Sequence, residues 1–101
     1  MIYMLCRNRV RDLAHWRTVF SSHEPAHLNA GLRLLWLGVE GQDNVFFLFE
    51  VASLDRARKF IGDPGARKTA DASGVIDGEY HFIEDAGGYM GNSGSTNPFG
   101  C

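Results

Sequence analysis

Apolar positions along this chain recur every second residue in some stretches and every third or fourth in others, and the alternation of the two periods lays out the fold. Residues 2–6 (IYMLC) form an apolar run of strand-forming residues, and residues 8–11 read as a polar loop. Asp12 is a helix N-cap, followed by Leu13, Trp16, Phe20, His23 and His27 down one helix face. Pro25 interrupts this helix, because it lacks an N–H and its ring crowds the carbonyl of Ser21. Glu24 is placed to cap a second short piece starting at Pro25, and Gly31 to stop it. Residues 32–39 (LRLLWLGV) and 45–51 (VFFLFEV) are strands around the turn Gly41-Gln42-Asp43-Asn44, a hairpin. Ser53 caps a second helix with Leu54, Ala57, Phe60 and Ile61 on one face. Gly62-Asp63-Pro64-Gly65 breaks it, and residues 66–73 form a further helical piece ended by Gly74. Asp77-Gly78 reads as a turn before a last strand over residues 79–84 (EYHFIE).

The order β-α-β-β-α-β predicts an α+β, ferredoxin-like domain over residues 1–85, with a four-stranded antiparallel sheet. Right-handed crossovers place both helices on one sheet face. In the third strand Val45, Phe47, Phe49 and Val51 point one way, and Phe46, Leu48 and Glu50 the other. In the second, Leu32, Leu34 and Trp36 oppose Arg33, Leu35, Leu37 and Val39; in the first, Ile2, Met4 and Cys6 oppose Tyr3 and Leu5. Both faces are therefore apolar, and helices cover only one. An antiparallel sheet normally leaves its second face polar, so this pattern predicts a second copy stacked on it by a two-fold axis, a homodimer. The other candidate cover is the Gly/Ser-rich tail of residues 86–101, which offers few apolar groups besides Tyr89, Met90 and Phe99.

Composition narrows the partners. The chain has 101 residues, one domain's worth, and 45% are apolar, enough for a core. A net charge of −2 gives no pull toward nucleic acid or an anionic membrane. Arg7, Arg9 and Arg11 form a local basic cluster, read as a solvated loop. Cys6 lies in an apolar run and Cys101 ends the tail, so no disulfide framework is implied and a cytoplasmic location is expected. The first apolar run is too short for a signal peptide, and no stretch approaches the ~20 residues of a membrane span. No cofactor is expected: the chain has no G-x-G-x-x-G, P-loop or C-x-x-C.

His23-Glu24-Pro25-Ala26-His27 spells the H-E-x-x-H signature of zinc proteases, in which two His share one helix face and the Glu activates a metal-bound water. The proline inside the motif and the small size of the chain argue against that chemistry. His23 and His27 instead extend the apolar stripe of the first helix and face inward. His15 lies off the stripe and is solvated, whereas Trp16 is core. His81 alternates with Tyr80 and Phe82; on the helix side of the sheet it would approach His23 as a metal ligand or proton-transfer partner. Glu50, a carboxylate in an apolar strand, needs a partner if buried, or is solvated near the strand end.

The pattern Asp12-x3-Trp16-x3-Phe20-x2-His23, the Ala30-Gly31-Leu32 strand entry, the hairpin into FFLFEV, Ser53-Leu54-Asp55-x-Ala57-Arg58 and the Asp63-Pro64 to Ser73-Gly74-Val75 segment together resemble the dimeric α/β barrel superfamily. Within it the chain is similar to antibiotic-biosynthesis monooxygenase-like and stress-responsive α/β-barrel proteins. The resemblance covers about residues 1–85 and implies two sheets packed face to face, with a ligand pocket between each sheet and its helices. The haem-degrading branch is matched at Asn8, but its Trp after the third strand and His on the second helix are absent here. The resemblance casts Asn8, Trp36 and Tyr80 around an aromatic substrate, as in cofactor-free monooxygenases.

Three functional readings follow. The first is a protein binding a small apolar or aromatic ligand in a pocket formed by Asn8, Trp16, Phe20, His27, Trp36 and His81. The second is a cofactor-free monooxygenase or polyketide-cyclase-like enzyme acting on an aromatic or polyketide-like substrate, with His23 as acid/base and Tyr80 as a phenol donor. The third is a metal-binding protein using His23 and His27.

Overall fold

The computed structural model describes residues 1–86. The tail expected from residue 86 onward, with Tyr89, Met90, Phe99 and Cys101, lies outside the described residues except for Ala86. The chain runs β1 (Ile2–Val10), α1 (Leu13–Ser22), α2 (Glu24–Asn29), β2 (Leu32–Glu40), β3 (Asn44–Val51), α3 (Leu54–Gly62), α4 (Pro64–Ala72) and β4 (Val75–Glu84). The strands form one antiparallel sheet in the order β2-β3-β1-β4, the ferredoxin-like arrangement.

The two crossovers are built alike. Each opens on a short polar cap: Asp12 accepts from the His15 N–H and Ser53 from the Arg56 N–H. Each is then broken by a proline in the first turn of its second helix, Pro25 in α2 and Pro64 in α4. Each ends at a glycine with positive φ, Gly31 at +77° and Gly74 at +84°, from which the chain turns straight into a strand. The first break falls at His23, which closes α1 and opens α2; Glu24 is already helical and caps nothing.

The helices cover the face carrying Met4, Cys6, Phe47 and Phe49. Trp16 from α1 and Ala57 from α3 complete the buried core. Ala57 is wholly inaccessible and belongs to the core cluster, so there is no room there for a larger side chain. On the central strand the predicted alternation holds, with Val45, Phe47, Phe49 and Val51 all buried.

Three sequence expectations are corrected. First, β1 continues through residues 8–10, and Asp77-Gly78 is strand, not turn. Arg7, Asn8 and Arg9 pair with Glu79, Gly78 and Asp77, so the alternating polar residues are the outward half of a two-residue period. Arg7 and Arg9 are therefore cross-strand ion-pair partners and not loop residues: Arg9 bonds Asp77 at 2.6 Å, and Arg7 reaches Asp77 and Glu79 at 3.3 and 3.4 Å. Second, β2 is bulged. Leu34 faces Phe49 and Trp36 faces Leu48, leaving Leu35 as the extra residue. The bulge reverses the expected phase, so Trp36 leaves the side of Leu32 and Leu34, and Leu37 joins it. Third, His81 stands opposite Leu5, on the face away from the helices.

That second face has an apolar centre of Tyr3, Leu5, Trp36, Phe46, Leu48 and Ile83. Trp36 is 54% exposed and Ile83 41%. The Trp36 ring lies over Gly38, where any Cβ would collide with it. Ion pairs close the two ends of the patch. Arg33 grips Glu50 through Nε and a terminal nitrogen at 3.0 and 2.7 Å, and Arg7, Arg9, Asp77 and Glu79 sit at the far end.

Replacing Ala57 by Leu should overfill the core at α3 and lower stability by about 1–3 kcal/mol. A urea titration followed by circular dichroism reads this as an earlier unfolding midpoint.

Candidate functional site

Four residues apart on α1, Trp16 and Phe20 project toward the sheet and stack on each other, with centroids 4.5 Å apart and planes at 18°. Phe20 also meets Phe47 and Phe49, at 5.1 and 6.2 Å. This aromatic block holds α1 against β3. The edge strand β2 lies beyond it, and α2, redirected at His23, passes above β2. A cavity of about 290 Å³ remains between the helices and the sheet edge. Its walls are Trp16, Phe20, Leu32, Leu34, Leu37 and Phe49, with Leu28 at the α2 end. Arg17, Ser21, Glu24 and Arg33 complete the lining and are exposed, as are Leu28 and Leu34.

His27 is the only imidazole in the wall. It is half-buried among Phe20, Phe49 and Phe60, with ring centroids at 5.0, 5.1 and 5.7 Å. Its ring nitrogens have no hydrogen-bond partner among the described residues, and no buried side-chain nitrogen or oxygen there lacks one. The His27 nitrogens are thus accessible, and the residue borders the cavity. Burial, reinforced by repulsion from His23, pushes the His27 imidazole from its ordinary value of 6.5 down to about 4. At neutral pH it is an uncharged ring with one donor and one acceptor.

His23 has a different environment. Its Nδ1 lies 3.0 Å from the Val19 carbonyl oxygen, which places the proton there, and 3.2 Å from Ser22 Oγ. Its Nε2 lies 3.3 Å from Thr69 Oγ1 on α4. Nδ1 ties the ring back to α1 and Nε2 reaches α4, and His23 does not border the cavity. Of the residues expected to line a pocket, Trp16, Phe20 and His27 do so. Trp36 and His81 are on the opposite face of the sheet, the first because of the bulge and the second because of its register with Leu5. Asn8 stands on β1 opposite Gly78 and Tyr80 on the outer strand β4, 51% exposed; neither reaches the cavity. His81 is consequently separated from His23 by the sheet, and instead approaches Glu79 at 3.3 Å. Among the described residues no cluster of three or more His, Cys, Asp or Glu could hold a metal ion. Burial pushes the Cys6 thiol up to about 12, so it is no nucleophile at neutral pH.

Sequence reading missed the contributions of Arg17, Ser21, Glu24 and Leu28. A signal was available: their spacings of four, three and four residues trace a second stripe, offset by one position from Trp16, Phe20 and His27. The cavity lies along the border of the two stripes. Leu37 was missed because the bulge changes its side.

No family model matches the sequence, and no curated protein matches it. Solved structures do resemble it. The cofactor-independent oxygenase SnoaB from Streptomyces nogalater superposes with a TM-score of 0.66 at 17% identity, over 84% of this chain and 92% of its own. A candidate antibiotic biosynthesis monooxygenase from Deinococcus radiodurans gives 0.65 at 16% identity, over 93% and 100%. An uncharacterised NIPSNAP domain protein from Burkholderia xenovorans gives 0.62 at 11% identity, over 90% and 100%. The chain shares the ferredoxin-like fold of these proteins; at such identities the likeness extends to fold alone. No helix among the described residues is long and apolar enough to cross a membrane.

The low pKa of His27 has a consequence for stability. Between pH 6.5 and about 4 the unfolded chain takes up a proton at His27 that the folded chain refuses. Stability present at neutral pH should therefore fall as the solution is acidified through that window and level off below it. Subtracting the denaturation profile of His27→Phe from that of the parent should isolate a dependence of about one proton near pH 5. Parallel profiles would show that His27 is not desolvated.

Proposed function

We propose that this protein binds a small apolar or aromatic ligand between its helices and the edge of its sheet. The observation that carries this reading is the cavity of about 290 Å³, lined by aromatic and aliphatic side chains and one unpartnered imidazole, with Arg17, Glu24 and Arg33 exposed at its border. Its size lies at the lower end of the ~300–1,000 Å³ typical of ligand pockets, which suits one or two fused rings. The Trp16–Phe20 pair offers a flat wall, and the leucines offer contact without directional demands.

Cofactor-free oxygenation is the second reading. The resemblance to the fold of SnoaB favours it, as does the presence of an uncharged base in the wall. His23, the acid/base expected from sequence, is committed to Val19 and Thr69, so His27 takes that position. A base with a pKa of about 4 removes a proton from an aromatic hydroxyl poorly, since efficient bases titrate near the working pH. Binding is therefore the better-supported activity.

We further propose that the protein works as a homodimer, joined through the apolar face opposite the helices. A large apolar centre enclosed by polar ends is the anatomy of a protein interface, and a monomer would leave Trp36 and Ile83 in water. Stacked sheets would leave each cavity on the outer side of its own sheet, open to solvent.

Calorimetric titration with 2-naphthol should show one saturable site per chain. Leu34→Trp, which fills the cavity from β2, should weaken that affinity by about tenfold or more, given the hydrophobic contacts it displaces. A parent protein that binds neither 2-naphthol, naphthalene nor 2-naphthoate, or a variant that binds 2-naphthol as tightly as the parent, would refute the pocket. Sedimentation equilibrium should give twice the chain mass, and Leu48→Glu, which buries a charge in the centre of the face, should give the single-chain mass. A monomeric parent would refute the dimer.

A further inference from the structure

Building on the pocket reading, we infer that His27 is its specificity-determining residue and that it selects a neutral aromatic molecule of one or two rings bearing a hydroxyl group. The argument begins with what a ligand would cover. Filling the cavity brings ligand against Phe20, Phe49 and His27, and shuts the unpartnered His27 ring off from solvent. A pure hydrocarbon leaves the imidazole desolvated and unpaired, a cost absent for any ligand that hydrogen-bonds to it. Sites built around a buried polar group reject analogues lacking the matching group far more strongly than apolar walls reject a change of shape.

The other polar groups of the lining do not offer this service. Ser21, Arg17, Glu24 and Arg33 are exposed at the mouth, and Arg33 is already bonded to Glu50 through two nitrogens. A carboxylate set against His27 would face an uncharged ring and three phenyl groups. A hydroxyl fits either way round: it donates to the bare nitrogen of the imidazole or accepts from its N–H. His23, which spells the other end of the same motif, cannot perform this role because both its nitrogens are occupied.

The test compares three probes of one shape, 2-naphthol, naphthalene and 2-naphthoate, by competition at pH 7 against the full chain. The parent should bind 2-naphthol about tenfold or more tightly than naphthalene, and 2-naphthoate no better than naphthalene. His27→Phe should erase the preference for the hydroxyl while still binding naphthalene. His27→Gln, which keeps one donor and one acceptor, should retain most of it. Circular dichroism melts confirm that each variant folds. Equal affinity of the parent for naphthol and naphthalene overturns the inference while leaving the pocket intact, as does a preference that survives in His27→Phe. Tightest binding of the naphthoate overturns it in favour of an anion held by Arg17. Failure of all three probes to bind refutes the pocket itself.

Discussion

The stacking of Trp16 and Phe20 against Phe47 and Phe49 is the contact on which the remaining architecture depends. It joins the middle and last turn of α1 to the middle of β3. A single straight helix continuing from there would carry on along its own axis. Pro25 prevents this, since helix continuity needs the N–H that proline lacks and the space its ring takes. The chain breaks at His23, redirects as α2 and descends at Gly31 to β2. The Arg56 guanidinium donates to the carbonyl of Asn29 at the end of α2, holding that end near α3. The space under α2 is thus a product of the break: the two helix pieces span the distance to β2 without filling it.

The same sheet is asked to satisfy two apolar faces with one helical layer. On β1 and β3 the side chains alternate between Met4, Cys6, Phe47 and Phe49 toward the helices and Leu5, Phe46 and Leu48 away from them. The bulge at Leu35 sharpens the division by moving Trp36 to the second face, where Gly38 lets its ring lie flat. A flat aromatic surface with its charges gathered at the two ends suits burial against a similar surface, because the apolar centre is then uninterrupted. Arg33 bonds Glu50 and also borders the cavity mouth.

Much of this was legible from residue spacing. The period-two stretch of β3, the caps at Asp12 and Ser53, and the glycines that close each crossover all act locally, and the structure forms where they predict. What spacing could not give was pairing. Asp77-Gly78 has the composition of a turn, and only its position opposite Arg9 and Asn8 makes it strand. The ion pairs of Arg7 and Arg9 come from residues about seventy positions away, beyond any local pattern. A bulge of one residue is equally invisible, yet it reassigns Trp36 and Leu37 to opposite faces and so changes the candidate site. The inward stripe of α1 was read correctly as far as Phe20 and His27, but the same stripe gave no means of telling which imidazole meets a cavity and which meets α4.

That last distinction decides how the HEPAH segment should be understood. In a continuous helix two His four residues apart present equivalent rings to one side, which is why the motif can hold a metal. Here His23 is the junction residue, with φ −99° and ψ 8°, and its ring is spent on Val19, Ser22 and Thr69. His27 lies within α2, among three phenyl rings, with no partner in the described chain. Satisfying both nitrogens of one ring makes it a fastener; desolvating the other and leaving it unpaired makes it a group whose hydrogen bonds a guest must supply. The proline that disqualifies the segment as a protease motif is the residue that separates these two roles.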